Sequence, residues 1–173
     1  VNSGGEDLNR DYAVHREATA IWRHLFPERY TTSSAVLSQP ETQAIDQLFS
    51  KYQFDAAISV HAFGGYIYYP WAGRYERIPD WKEHHHLGTV MKDAQIGKHP
   101  YRVKQLSHWM FLFRAQGTEL DHFYEKYGAR SFLIETTRSG IEWWKRDDWK
   151  DPFRLYNPRV PDLDIQRTAN SMW

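Results

Sequence analysis

His61 directly follows the short apolar run Phe54 to Val60, and Glu135 directly follows Ser131-Phe132-Leu133-Ile134. Each run is bounded by polar residues, the pattern of a short buried strand. An imidazole and a carboxylate delivered by strand ends stand where open α/β sheets bind their ligands. Taken alone, His61 also reads as a satisfied structural histidine, whereas a carboxylate behind three apolar residues needs a partner or a purpose. His122-Phe123-Tyr124-Glu125 puts a second imidazole and carboxylate three residues apart, on one helical face, a spacing that suits metals but is also common without them. The sequence has no Cys. A thiolate nucleophile, a cysteine zinc site and a disulfide framework are therefore excluded, and any metal must use His and carboxylates.

The elements that must position these residues follow from local signals. Ala18 to Phe26 has a weak helical pattern ended by Pro27. Ser38-Gln39-Pro40-Glu41 reads as a capping box with Pro in the first turn, and Ala44, Ile45, Leu48 and Phe49 then share one helical face. Gly64-Gly65 turns the His61 strand into a second strand, Tyr66 to Tyr69. Trp81 to Lys98 reads as a surface helix, since His84, His85 and His86 cannot all face one way. Met110 to Phe113 is strand-like. Glu119 to Tyr127 reads as a helix stopped by Gly128, where a left-handed cap costs least. After Glu135 the chain turns irregular through Trp143, Trp144, Trp149, Pro152 and Pro158, and Asp162 to Met172 begins a final helix. Strands alternating with helices predict an α/β fold with a mixed, largely parallel sheet covered by helices on both faces.

At 173 residues and 41% hydrophobic, the chain suits one domain or a piece of one. Its 22 Lys and Arg balance 22 Asp and Glu, leaving no net field to draw nucleic acid or an acidic membrane surface. Val1 to Arg10 has no apolar signal core, and no apolar run approaches bilayer length. Neither a nucleic-acid nor a membrane partner is expected.

Four segments, in order and with matching spacing, resemble the zinc carboxypeptidases of the carboxypeptidase A/B family. Asp7-Leu8-Asn9-Arg10 is similar to the family's Asp-x-Asn-Arg motif. Ser38-Gln39-Pro40-Glu41-Thr42 resembles the opening of the helix before the ligand strand. Ser59-Val60-His61 with Tyr68-Tyr69-Pro70-Trp71 resembles the third-ligand segment, and Ser131 to Glu135 resembles the catalytic-Glu strand. The resemblance implies a carboxypeptidase-like fold, with residues 1–173 the C-terminal portion of one catalytic domain. It implies His61 as a zinc ligand and Glu135 as general base and acid for the zinc-activated water. Asn9 and Arg10 would bind the substrate's terminal carboxylate, for which the planar Arg fork is suited. Phe113 would stand where the family has a mobile substrate-binding Tyr, and Leu120 at the specificity position, favouring apolar or aromatic C-terminal residues.

The chain also departs from the pattern. The family's other zinc ligands, in a His-x-x-Glu motif, and its oxyanion Arg lie upstream of the Asn-Arg pair, where only eight residues precede Asn9. The resemblance therefore implies that an upstream segment or another chain completes the site around one zinc ion. It also implies uncovered core and unpaired strand edges. The substrate would be the C-terminus of a peptide or protein, in a secreted or periplasmic setting. A peptidoglycan-peptide carboxypeptidase, or a non-catalytic carboxylate-binding module that has lost zinc, are the alternative readings.

Overall fold

The computed structural model describes residues 2–17, 21–25, 31–96, 100–110, 112–136 and 161–172. Trp143, Trp144, Trp149, Pro152 and Pro158 lie outside the described residues, as do Ala18 to Ala20 and Pro27. Of the weak helical pattern near the N-terminus, Ile21–His24 forms a single 3-10 turn.

Four α-helices are described: α1 Pro40–Tyr52, α2 Trp81–Asp93, α3 Glu119–Tyr127 and α4 Pro161–Met172. The strands are β1 Ala56–Ala62, β2 Tyr66–Tyr69, β3 Arg102–Gln105 and β4 Arg130–Thr136. They form one sheet in the order β1-β4-β2-β3. β2 runs antiparallel to β4, with Tyr66 opposite Glu135 and Tyr68 opposite Leu133. Arg130 N donates to Asp55 O at 2.8 Å and Thr136 Oγ1 to His61 O at 2.9 Å. Both bonds join residues 75 apart, entry to entry and exit to exit, so β1 and β4 are parallel. The fold is thus the expected α/β type with a mixed, largely parallel sheet.

The chain divides into two compact units. The first comprises residues 1–57, 69–81 and 105–132, and the second residues 58–68, 82–104 and 133–173. In the first unit, Tyr12, Phe49, Phe123 and Ala129 form a buried cluster against which Leu37, Ala57 and Tyr127 pack. Phe49 and Phe123 stack with ring centroids 4.0 Å apart, joining α1 to α3. In the second unit, Gln95 accepts from Tyr101 N at 2.7 Å and donates to Ser171 at 2.6 Å, tying α4 to the segment entering β3.

Several local expectations need correction. The capping box at Ser38 is not formed: the N-cap is Gln39, which makes no side-chain cap bond. Asp11, far away in sequence, supplies the acceptor instead. The predicted apolar face of α1 buries Phe49 but leaves Ile45 and Leu48 exposed. The first strand begins two residues later than the apolar run and continues past His61. It stands at the end of the strand order rather than in a buried position, with Ile58 and Val60 exposed. Met110 to Phe113 contributes no described strand. The strand of that region is β3, whose Arg-Val-Lys-Gln alternation carries too little apolar signal to stand out. By contrast, α3 and its Gly128 cap (φ +69°) match the sequence signals.

Candidate active site

In the first unit the site is built on a 3-10 turn, Leu8–Arg10, capped by Asp7, whose side chain accepts from Asn9 N at 3.0 Å. Asn9 then uses its own Oδ1 to accept from Glu119 N at 3.1 Å, in the first turn of α3. Arg10 donates from its guanidinium to Asn9 O at 2.6 Å, and its carbonyl accepts from Ser33 N at 3.1 Å. The Arg10 Nε is buried and has no hydrogen-bond partner among the described residues. A buried guanidinium donor left unpaired is costly, and a carboxylate is the group that satisfies it best.

Asp11, the next residue, is fully buried. Its Oδ1 accepts from Ser33 Oγ at 2.5 Å, Ser38 N at 2.9 Å and Ser38 Oγ at 2.7 Å. Its Oδ2 accepts from Gln39 N at 3.0 Å and from Thr42 Oγ1. Burial alone would raise the Asp11 pKa, but hydrogen bonds from Ser33, Thr42 and Ser38 hold the carboxyl well below the ordinary carboxylate range.

The α3 end of this unit carries Leu120, fully buried, and Asp121. Asp121 accepts from Ala72 N at 2.7 Å and Gly73 N at 2.9 Å, and its second oxygen lies 2.8 Å from His15 Nδ1. The other His15 nitrogen lies 3.4 Å from Glu125. Phe113 is half-buried, its ring edge-on to Trp109 at 5.0 Å. His122 and Glu125 do not converge as a metal pair. His122 Nε2 meets Asp46 Oδ1 at 2.7 Å in an α1–α3 tie, while Glu125 faces His15. Burial lowers the His122 pKa against the opposing bond to Asp46.

In the second unit, His61 and Glu135 are each the penultimate residue of their strands, and the strands are neighbours that end together. His61 Nε2 lies 2.9 Å from Ser59 Oγ. The backbone of Glu135 is clamped by the Gly64-Gly65 turn: Gly65 N donates to Glu135 O at 2.8 Å and Gly64 N to Thr136 O at 3.1 Å. A Cβ on Gly64 would stand 3.3 Å from Glu135 Cβ and 3.2 Å from the Tyr66 ring. Burial raises the Tyr68 pKa, and Tyr66 and Glu135 add to the rise. Among the described residues no group of three or more His, Asp or Glu could hold a metal ion. His61 offers one donor, so these residues do not by themselves form a zinc site.

Asp11, His15 and Asp121 were not singled out from the sequence. The only available signal was that Asp11 adjoins Arg10, for the partners of all three lie far along the chain.

The α/β architecture of this chain is shared with solved carboxypeptidase structures. Thrombin-activatable fibrinolysis inhibitor superposes with a TM-score of 0.70 at 19% identity, over 97% of this chain and 39% of that one. Carboxypeptidase A from Helicoverpa armigera gives 0.69 at 18%, over 96% and 39%. The bovine thrombin-activatable fibrinolysis inhibitor in complex with tick carboxypeptidase inhibitor gives 0.71 at 17%, over 97% and 54%. The chain thus spans roughly two-fifths to one-half of the length of these structures. These likenesses define the fold class, that of the carboxypeptidases. The zinc carboxypeptidase family model matches residues 2–173, and the chain belongs to that family, a family of zinc-dependent peptidases. No curated protein sequence matches it. No described helix is long and apolar enough to cross a membrane.

Proposed function

We propose that the chain is the C-terminal portion of a single zinc carboxypeptidase catalytic domain that hydrolyses the last peptide bond of a peptide or protein. The observation that carries this reading is the buried Nε of Arg10, without a hydrogen-bond partner among the described residues, beside an Asn9 fixed to α3. Such a pair binds a terminal carboxylate through charge-assisted hydrogen bonds, which is what directs a peptidase to chain ends. Leu120, with Phe113 nearby in sequence, favours an apolar or aromatic C-terminal residue. Glu135 accepts a proton from the attacking water and delivers it to the leaving amine.

His61 contributes one zinc donor, and the remaining donors come from an upstream segment or another chain. Zinc, when bound, acts as a Lewis acid that makes water nucleophilic near neutral pH. A secreted or periplasmic setting belongs to the same proposal.

The test is release of the C-terminal residue from N-acylated dipeptides ending in Phe, Leu or Arg, by this chain assembled with the segment or partner that supplies the other donors and loaded with zinc. We expect hydrolysis of the Phe and Leu substrates, and a fall in kcat of about 10²- to 10⁴-fold in Glu135→Gln. No released residue from wild type, or undiminished activity in the variant, refutes the reading.

A further inference from the structure

We propose that Asp11 is the positioning residue for the Asn9-Arg10 pair: its saturated, buried carboxylate fixes the Arg10 peptide while leaving the Arg10 guanidinium available to an incoming carboxylate. The inference deepens the proposed function and rests on Arg10 as the carboxylate-binding residue.

An Asp next to an Arg in sequence would ordinarily be a candidate ion-pair partner, and an Arg so neutralised would bind a substrate carboxylate poorly. Here the two Asp11 oxygens receive five donors, from Ser33, Ser38 (twice), Gln39 and Thr42. A carboxylate offers about four lone-pair sites, so nothing remains to attract the neighbouring guanidinium. Arg10 correspondingly keeps a buried Nε without a partner among the described residues.

The same five bonds do more than cap α1. Ser33 donates its hydroxyl to Asp11 and its backbone N–H to Arg10 O, closing a ring around the Arg10-Asp11 peptide. Arg16 stiffens that ring by donating to Ser33 O and, at 3.0 Å, to Tyr12 O. Leu37 N donates to Asp11 O at 2.8 Å, so both carbonyls flanking the ring are held. On the opposite side Asn9 is tied to Glu119 N. Two-point recognition of a carboxylate demands placement within about half an ångström, and this clamp fixes the backbone on which the fork is mounted.

The experiment titrates 3-phenylpropanoate into wild type and into Asp11→Asn, Ser33→Ala and Asp46→Asn by two-dimensional NMR, with 3-phenylpropanamide as the uncharged twin. Asp46 is the control because it, too, is a multiply bonded α1 carboxylate, bound by His122, Lys126 and Tyr127 rather than by the Arg10 segment. We expect carboxylate affinity to fall about tenfold in Asp11→Asn, the worth of roughly one charge-assisted hydrogen bond, and less in Ser33→Ala. Asp46→Asn and the amide twin should show no change. The Arg10 Nε–H resonance supplies a ligand-free reading and should broaden or shift in Asp11→Asn and Ser33→Ala alone. If Asp11→Asn fails to fold, Ser33→Ala decides.

Affinity within twofold of wild type with an unmoved Nε–H signal overturns the proposal, as does an equal loss in Asp46→Asn. If wild type does not prefer the carboxylate to the amide, the reading of Arg10 as a substrate site fails, and the Nε–H comparison alone judges Asp11.

Discussion

Gly117 has φ +61°, and a Cβ there would stand 2.7 Å from Arg10 O and 3.2 Å from Thr32 Cγ2. The 2.7 Å contact is with backbone, which cannot swing aside as a side-chain tip would. Its own carbonyl accepts from Tyr12 N at 3.1 Å, so residue 117 packs against the Arg10 backbone from the α3 side. Gly117→Ala adds a left-handed penalty to a backbone clash, and we expect a loss of about 1–3 kcal/mol in urea unfolding. The same variant should weaken carboxylate binding, because the strain is relieved only by moving Arg10. A stability within 0.5 kcal/mol of wild type, roughly the scatter of a neutral surface change, would contradict this account. Asn9, Arg10, His61 and Glu135 could be singled out from the sequence because each sits in a short local motif or at the end of an apolar run. Asp11, His15 and Asp121 were not, since Asp11 works on residues 22 to 31 positions away and His15 meets Asp121 across 106 positions. Pattern along the chain carries no record of such pairings.

At the scale of elements, α3 was readable from end to end because its signals are its own. Thr118 caps its start, accepting from Asp121 N, and Gly128 ends it in the left-handed conformation. The start of α1 was misread because its acceptor is borrowed from Asp11. That borrowing makes helix α1 sensitive to acid. Asp11 is held well below the ordinary carboxylate range, and Asp46, bonded by Lys126, Tyr127 and His122 against the opposing effect of burial, is lowered to about 2. Both groups have folded pKa values below the unfolded ones. Their stabilisation is complete above the unfolded value and disappears as pH falls through the folded value. Each should contribute about 1.4 kcal/mol per pH unit to the slope between roughly pH 4 and pH 2. His122, lowered mainly by burial, adds the same sign below the ordinary imidazole value, because the unfolded chain takes up that proton first. Denaturant melts at half-unit pH steps should show Asp11→Asn and Asp46→Asn each with a shallower acid slope than wild type. Parallel slopes would mean that neither carboxylate is ionised and paired in the folded state as described.

For the molecule as a whole, the exposed flank of β1 has a consequence for association. β1 ends the strand order among the described residues, and its side chains alternate, with Ala56, Ile58, Val60 and Ala62 exposed and Ala57, Ser59 and His61 half-buried. Ile58 and Val60 keep 40% and 53% of their surface open, which is a large share for branched apolar residues in a strand. The run was legible as apolar, and apolar runs of this length usually mean burial on both faces. Whether a second face is covered depends on a neighbour that the run itself does not encode. An end strand with open apolar side chains is a template for pairing with another chain, and natural proteins usually blunt such edges with charge or Pro. β1 carries neither. We therefore expect the 173-residue chain to self-associate at tens of micromolar, with a mass by size exclusion and light scattering that rises with concentration. Ile58→Lys with Val60→Lys should return it to monomer. Because both side chains are already largely open to water, the pair should cost little stability, within about 1 kcal/mol. Monomeric wild type across that range would show that this flank is not sticky, and a double variant that still associates would place the contact elsewhere. His61 lies in the same strand with its side chain only half-buried. Association through β1 should therefore also slow ethoxycarbonylation of His61 by diethyl pyrocarbonate, followed by peptide mass spectrometry, and the double lysine variant should restore the rate.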